Sequence, residues 1–345
     1  MIEIKMPGKL YIVGEYNVLK PASSAIAVAI DRFLIVTISA DKNYSYNSSF
    51  SKYKWVLTND IPQLSFNSHD YSKYALLQAF KYLKYLGIKP KSFKIDVNND
   101  LIYKGVKLGL GSSAALTAGV IKAVAKFHDV DIDLMTLFKL SVLSQIDGNY
   151  LSSGGDLATI IYQGWVYYRR YDLLWVLHHK GDYKFIIEND WPELHIENII
   201  ANNSFKVKGV WSQVPHENGP INYNITLDRS NMYKEFTKIS DDVVRNVKLG
   251  LEYNNYQLVY QSILNNDKWL TRYTNHLKLR GYARPFNWFY KLRDQFELAG
   301  KISGSGFGDF AIVLSHDDVL INHQIINKAF TKYGFIPFDF TVVER

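Results

Sequence analysis

The 345-residue chain contains no cysteine. Disulfides, zinc–thiolate sites and cysteine nucleophiles are therefore excluded, and a reducing compartment is permitted without being required. No apolar run approaches the roughly 18 residues that span a bilayer. The N-terminal stretch MIEIKMPGKL also lacks the uninterrupted apolar core of a signal peptide. Long basic blocks, RNP-like patterns and zinc-finger patterns are missing, and the 9 histidines show no metal-ligand spacing. No Gly-Lys-Ser or Gly-Lys-Thr triplet occurs, which rules out the common P-loop. These absences leave a cytoplasmic protein as the expectation, with neither nucleic acid nor membrane as partner.

What is present is a substantial core. Hydrophobic residues make up 47% of the chain and aromatic residues 15%, enough to exclude disorder. The length suits two domains or one large one. A formal charge of +7, from 40 Lys+Arg against 33 Asp+Glu, fits an anionic ligand. Strands and helices mix without regular βαβ alternation, so the fold class expected is α+β. Residues 25–40 read as two strands meeting at a tight turn around Asp31-Arg32, and 72–86 and 133–147 read as helices. Residues 92–97 and 205–211 read as strands, 230–298 as largely helical, 317–332 as a helix, and FIPFDFTVV as a last strand. Charged and loop-like residues collect near 172–195. The division expected is 1–190 and 191–345.

The most informative stretch is KLGLGSSAALTAGV, residues 107–120. A glycine-rich turn feeding a helix leaves unpaired N–H groups at the positive end of the helix dipole, a setting that binds phosphate. The plainer reading is a helix start capped by serine. A dinucleotide fingerprint fails here. GLGSSA fits its glycine spacing and Asp129 stands at the right distance, but that acid follows an amphipathic helix and YKGVKL is a poor buried strand.

GLGSSAA strongly resembles the second motif of the GHMP kinases. PGKLYIVGEY (7–16) resembles their first motif, and KISGSGFGDFAIVL (301–314) their glycine-rich third, in the same order. Three ordered motifs across nearly the whole chain are far more specific than any one. The resemblance implies a two-domain α+β fold, with an N-terminal half like domain 2 of ribosomal protein S5 and a ferredoxin-like C-terminal half. It implies ATP and Mg²⁺ as cofactors. Lys107, Gly109, Leu110, Gly111, Ser112, Ser113 and Ala114 would face the ATP phosphates, and Ser112 and Ser113 the metal. Lys9 and Asp156 would be catalytic. Tyr16, Ser152, Ser153, Gly155, Gly304, Ser305 and Gly306 would line the acceptor site. Plainer roles stay open for several: Asp156 as a helix N-cap, Ser152 as a turn former, Tyr16 as a core aromatic and Glu15 as half of a structural salt bridge.

Finer features, namely GKLY…GEY, Lys107, LSSGGDLA with GWVYYRRYD, and DWPELHIE (190–197), are similar to the branch of the family that phosphorylates phosphomevalonate. That resemblance implies transfer of the ATP γ-phosphoryl group to (R)-5-phosphomevalonate by a monomer or homodimer whose partners are ATP and an anionic mevalonate derivative. The alternatives are a kinase of the family acting on mevalonate or another small molecule, and a non-catalytic binding protein of the same fold. Two segments depart from the family pattern. Phe307 stands in SGSGFGDF where a glycine is usual, with strain expected if its φ is positive, and GVWSQVPHENGP (209–220) replaces a different loop.

Overall fold

A computed structural model describes residues 1–67, 70–150, 152–214, 228–279, 281–319 and 322–345. Seven strands form the first sheet: β1 (Ile2–Val13), β2 (Ser24–Ala40), β3 (Tyr44–Asn47), β4 (Lys52–Trp55), β5 (Phe93–Asn99), β6 (Trp165–Arg169) and β7 (His195–Ile199). Their order is β7–β6–β2–β5–β3–β4, with β1 also paired to β2, and all neighbours are antiparallel except β3 and β5. The second sheet has four antiparallel strands: β8 (Phe205–Trp211), β9 (Ala299–Ile302), β10 (Phe310–His316) and β11 (Ile336–Phe340), in the order β9–β10–β8–β11. With helices between β8 and β9 and between β10 and β11, this is a ferredoxin-like arrangement. The architecture is α+β.

The helices are α1 (Tyr71–Tyr85), α2 (Ser112–Phe127), α3 (Leu134–Asp147), α4 (Gly155–Tyr162), α5 (Leu173–His179), α6 (Tyr183–Glu188), α7 (Asn231–Glu252), α8 (Tyr256–His276), α9 (Asn287–Gln295) and α10 (His323–Lys332). The run Ala25–Ile30 in β2 is buried on both faces, which its small and β-branched residues permit. Helix α2 packs on β1 and β2, and Gly119 lets it come close: a Cβ there would lie 2.9 Å from Val36 and 3.1 Å from Met6. One apolar cluster joins the first sheet to Val207, Phe310 and Ile312 of the second.

Three expectations about elements need correction. Residues 25–40 form one continuous strand rather than two. The pairing with β1 shifts register between Pro7 and Gly8, opposite Asp31-Arg32, so the polar pair is absorbed as a bulge. Asp31 is held there by exchange with Thr341, at 3.1 and 3.0 Å. The loop-like stretch near 172–195 contains α5 and α6, whose N-termini are capped by the side chains of Asp172 and Asp182. The residues that suggested a loop are helix caps. The late helix begins at His323 rather than 317, after the Asn322 cap. Strand β7, which a division at 190/191 assigns to the C-terminal half, pairs with β6 in the first sheet, and the chain reaches the second sheet between Ile199 and Phe205.

One buried ion pair ties the two halves. Glu15, just past β1, is 3% exposed and Lys301 of β9 is 0% exposed, and the ammonium donates to the carboxylate and to the carbonyl of Ile302. Asn266 of α8 donates to the other carboxylate oxygen at 3.5 Å. Breaking such a pair strands a charge in a low-dielectric interior, whereas removing both partners does not. Glu15→Gln and Lys301→Met should each lower unfolding free energy by about 3 kcal/mol, and the double variant should lose much less than the sum. Chemical denaturation of the four proteins checks this, and additive losses would contradict it.

Candidate active site

Helix α2 starts at Ser112, and its N-cap is Gly111 at φ +85°, with no side-chain cap. The serine-capped reading is therefore corrected, because the N-terminal N–H groups are left for another acceptor. Gly109 has φ +73°, so both loop glycines occupy the left-handed region that favours glycine. Ser112 and Ser113 are half-buried at this end, while Leu110 and Ala114 are buried beneath it. Lys107 stands on an edge hairpin (Ile102–Tyr103 with Val106–Lys107), exposed, its ammonium 5.5 Å from the Phe50 ring centroid.

The first motif threads directly under this loop. The Lys9 N–H donates to the Leu110 carbonyl at 2.9 Å, fixing β1 to the glycine loop. The Lys9 side chain passes Gly111, where a Cβ would stand 3.1 Å from two of its methylenes and 3.1 Å from Ile160. Lys9 is 7% exposed, and its ammonium lies 3.4 Å from the Asp156 carboxylate. It also lies 5.0 Å from the centroid of the Tyr11 ring. A long cationic side chain is thus held along one path, with its charge delivered beside the uncapped helix end.

Asp156 lies in the first turn of α4, whose N-cap is Gly154 at φ +86°. Asp156 is therefore free of the capping role open to it in the sequence. The preceding turn is heavily bonded. The Ser153 hydroxyl meets the Tyr11 hydroxyl at 3.1 Å, and the Ser153 carbonyl accepts from Tyr168 at 2.6 Å. Ser152 donates to Gln145, and its carbonyl accepts from Arg170 at 3.1 Å. Leu151 lies outside the described residues. Gly155 is required, since a Cβ there would collide with the Tyr11 hydroxyl. Burial, with the Asp156 charge adding to it, pushes the Tyr11 phenol well above its ordinary value, so it stays a neutral hydroxyl.

The third motif closes the opposite side. Ser303 donates to the Tyr11 carbonyl at 2.9 Å, and Tyr16 to the Ser305 carbonyl at 2.5 Å. Gly304 and Gly306 have φ of +80° and +81°. Nothing lies within 4 Å of a Cβ at Gly304, whereas Tyr282 covers Gly306. Phe307 is not among the positive-φ residues and packs edge-on to Tyr282 at 6.2 Å, so the strain considered for it does not arise. The left-handed residue is Asp309, at φ +60°. Its carboxylate fills the space a Gly109 side chain would need, and its backbone bonds to Ser212 and Val214, both at 2.8 Å. The altered loop 209–220 is thereby anchored at its described end, and residues 215–220 lie outside the described residues.

The structure therefore brings together Lys9, Gly109, Leu110, Gly111, Ser112, Ser113, Ala114 and Asp156 on one side. Ser152, Ser153 and Gly155 join through Tyr11, and Tyr16, Gly304, Ser305 and Gly306 through the third motif. Lys107 stands apart. Glu15 takes its structural role, and His128, 4% exposed, packs on Phe93 and Phe127. Asp309 is visible in the third motif without a role assigned to it, and sequence reasoning missed Tyr11, Tyr168 and Arg170. Tyr11 had a signal: two positions beyond Lys9 on a strand, it shares that residue's face. The others reach the site through folding alone.

A lysine converging with an uncapped helix N-terminus and three glycine-bearing turns defines a small-molecule phosphotransferase site. Residues 73–164 match the GHMP kinases N terminal domain family. A phosphomevalonate kinase from a Streptomyces species is 25% identical over 97% of this chain and 95% of its own length. A Listeria innocua protein of known structure superimposes with TM-score 0.90 at 25% identity, covering 99% of this chain and 98% of its own. The Streptococcus pneumoniae phosphomevalonate kinase, solved with phosphomevalonate and AMPPNP, has the same fold, with TM-score 0.85 at 21% identity over 98% of this chain and 100% of its own. Residues 73–164 thus match a GHMP kinase N-terminal domain, and over nearly its full length the chain is similar to an ATP-dependent phosphotransferase.

The loop geometry yields a controlled test. Gly111→Ala places a methyl against Lys9 at φ +85°, whereas Gly87→Ala, at φ +71°, meets nothing within 4 Å. Both should cost about 1 kcal/mol of stability. Only Gly111→Ala should lower kcat, by about tenfold to a hundredfold, because only it displaces the lysine. Thermal melts and ADP-release rates of the two variants check this.

Proposed function

We infer that this kinase transfers the γ-phosphoryl group of ATP to the phosphate of (R)-5-phosphomevalonate, giving 5-diphosphomevalonate and ADP. The observation that carries the reading is the placement of Lys9 between the glycine loop and Asp156, at 3.4 Å from the carboxylate. The full-length similarity to the Streptomyces enzyme supports the same acceptor.

A phosphate monoester has a second pKa near about 6, so at neutral pH the attacking oxygen is already largely ionised. Removing a proton is therefore a minor task. The larger obstacle is bringing two polyanions into line, which calls for fixed cations and exclusion of disorder. Lys9 supplies the cation at the junction of donor and acceptor. Asp156 orients that ammonium. The N–H groups of the Gly109–Ala114 turn take the donor phosphates, and Ser152, Ser153, Gly155 and the Gly304–Gly306 turn hold the acceptor. Tyr16 serves the acceptor side by fixing Ser305, and Lys107 serves the donor phosphates from the loop's entrance.

Ser112 and Ser113 fit magnesium in kind, since their hydroxyls stand half-buried at the uncapped helix end. No group of three or more His, Asp or Glu suited to a metal exists among the described residues. Such sparse donors suit an ion that is carried on nucleotide phosphates and keeps its waters. When bound, magnesium would neutralise phosphate charge. Among the described residues no helix is long and apolar enough to cross a membrane, and we take the enzyme to be cytoplasmic and to work as a monomer or homodimer. The division into residues 1–190 and 191–345 would place Lys9, the glycine loop and Asp156 in the N-terminal unit and the third motif in the C-terminal one.

Coupled ADP release with phosphomevalonate, with mevalonate and without acceptor tests the assignment. Turnover should require phosphomevalonate, and a preference for mevalonate would overturn it. Lys9→Ala should lower kcat by about a thousandfold. Asp156→Asn should lower kcat yet keep the wild-type pH profile near neutrality. Loss of an ionisation from that profile in Asp156→Asn would mean that the carboxylate acts as a base.

A further inference from the structure

Arg170 follows β6 and is 2% exposed, among the largest fully buried side chains of the described residues. Its guanidinium is poorly matched by its surroundings. One nitrogen, Nη2, donates to the Ser152 carbonyl at 3.1 Å, and Nε has no hydrogen-bond partner. It takes part in none of the ion pairs found among the described residues. Of the buried lysines, Lys301 has Glu15, Lys9 has Asp156 and Lys208 has Asp339, while Lys139, which is in none of the ion pairs among the described residues, donates to the Ile187 and Asn189 carbonyls at 2.9 and 2.7 Å. Tyr171 offers its ring face, 5.8 Å away, and a hydrogen-bonding hydroxyl, both neutral partners. Burial raises the Tyr168 and Tyr171 phenols above their ordinary values, although Arg170 pulls both back, so neither supplies a negative charge near neutrality.

An arginine stays charged at all accessible pH, and a buried charge without a counter-charge is costly. A ligand of opposite sign can supply the missing counter-charge. The location says which ligand. Arg170 is fixed by its own backbone, its N–H bonded to the Ser23 carbonyl at 3.0 Å and its carbonyl to the Ala22 N–H at 3.0 Å. From there its side chain reaches the Ser152–Gly155 turn, on the acceptor side, whereas Lys9 already serves the junction with the donor.

We propose that Arg170 is a positioning residue for the acceptor: it holds the Ser152–Gly155 turn by the Ser152 carbonyl, and the acceptor's phosphate or carboxylate provides the counter-charge that the protein withholds. This rests on the kinase reading above. It accounts for selectivity toward an acceptor that is already anionic, because a neutral alcohol of the same shape leaves the guanidinium uncompensated. It also predicts an unusual pairing of effects, in which removing the charge weakens acceptor binding without weakening the fold.

The test titrates 5-phosphomevalonate and, separately, AMPPNP into wild-type protein and into Arg170→Lys, Arg170→Gln and Arg170→Met, with melting curves of each. Gln and Met should raise the acceptor Kd at least about tenfold, Lys should stay within about threefold, and the AMPPNP Kd should not change. Unliganded Met should melt no lower than wild type, since a buried uncompensated charge is gone. Unchanged acceptor affinity in Gln and Met, or an equal loss for AMPPNP, would overturn the proposal while leaving the kinase assignment intact. Wild-type protein that binds no acceptor and releases no ADP would overturn both. Should Met not fold, the Lys and Gln pair alone decides.

Discussion

A lysine ammonium kept almost out of water is the constraint around which the molecule is arranged. Lys9 has the Asp156 carboxylate 3.4 Å from its ammonium, runs past residue 111 where a Cβ would crowd it at 3.1 Å, and starts from a strand hydrogen-bonded to the loop before α2. Each contact falls on a different segment, so the site exists only when the first sheet, α2 and α4 have closed on one another. The second sheet adds the remaining wall through Ser303 and Ser305, and the buried Glu15–Lys301 pair fixes its distance from the first motif.

The charges are distributed to suit a reaction between anions. Along the donor side the protein presents N–H groups and hydroxyls with no carboxylate capping the helix. At the junction a single paired lysine is fixed. The Ser152–Gly155 turn is bonded by neutral tyrosines and by an arginine without an ion-pair partner among the described residues. Such preorganised positive potential in a low-dielectric site costs stability in the free protein and is recovered when ligand charge arrives. The left-handed Asp309, lodged against Gly109 and bonded to Ser212 and Val214, joins the donor loop to the altered loop 209–214.

Much of this was legible in the sequence because the chemistry is local. Phosphate loops need glycine at positive φ and small residues entering a helix, so GLGSSAA announced itself, and Lys9 and Asp156 stood in equally short motifs. The α+β class and most strands and helices followed from apolar periodicity. What sequence did not show is what depends on distant pairing. The polar pair Asp31-Arg32 looked like a turn, but its place opposite a register shift makes it a bulge in one strand. Asp172 and Asp182 looked like loop residues because caps and loops use the same side chains. Arg170 stands in GWVYYRRYD with nothing in the sequence to separate it from Arg169. Only the fold shows that it faces inward while Arg169 stays nearer solvent.

In the proposed reaction the oxygen that attacks the γ-phosphorus of ATP belongs to an existing phosphate rather than to an alcohol. Phosphorus NMR of a reaction containing enzyme, ATP, magnesium and an equimolar mixture of mevalonate and 5-phosphomevalonate reads this directly. The account predicts loss of the phosphomonoester signal and growth of two mutually coupled doublets from a new diphosphate, alongside those of ADP. Growth of the monoester signal with no new diphosphate would show that an alcohol is the acceptor and would contradict it.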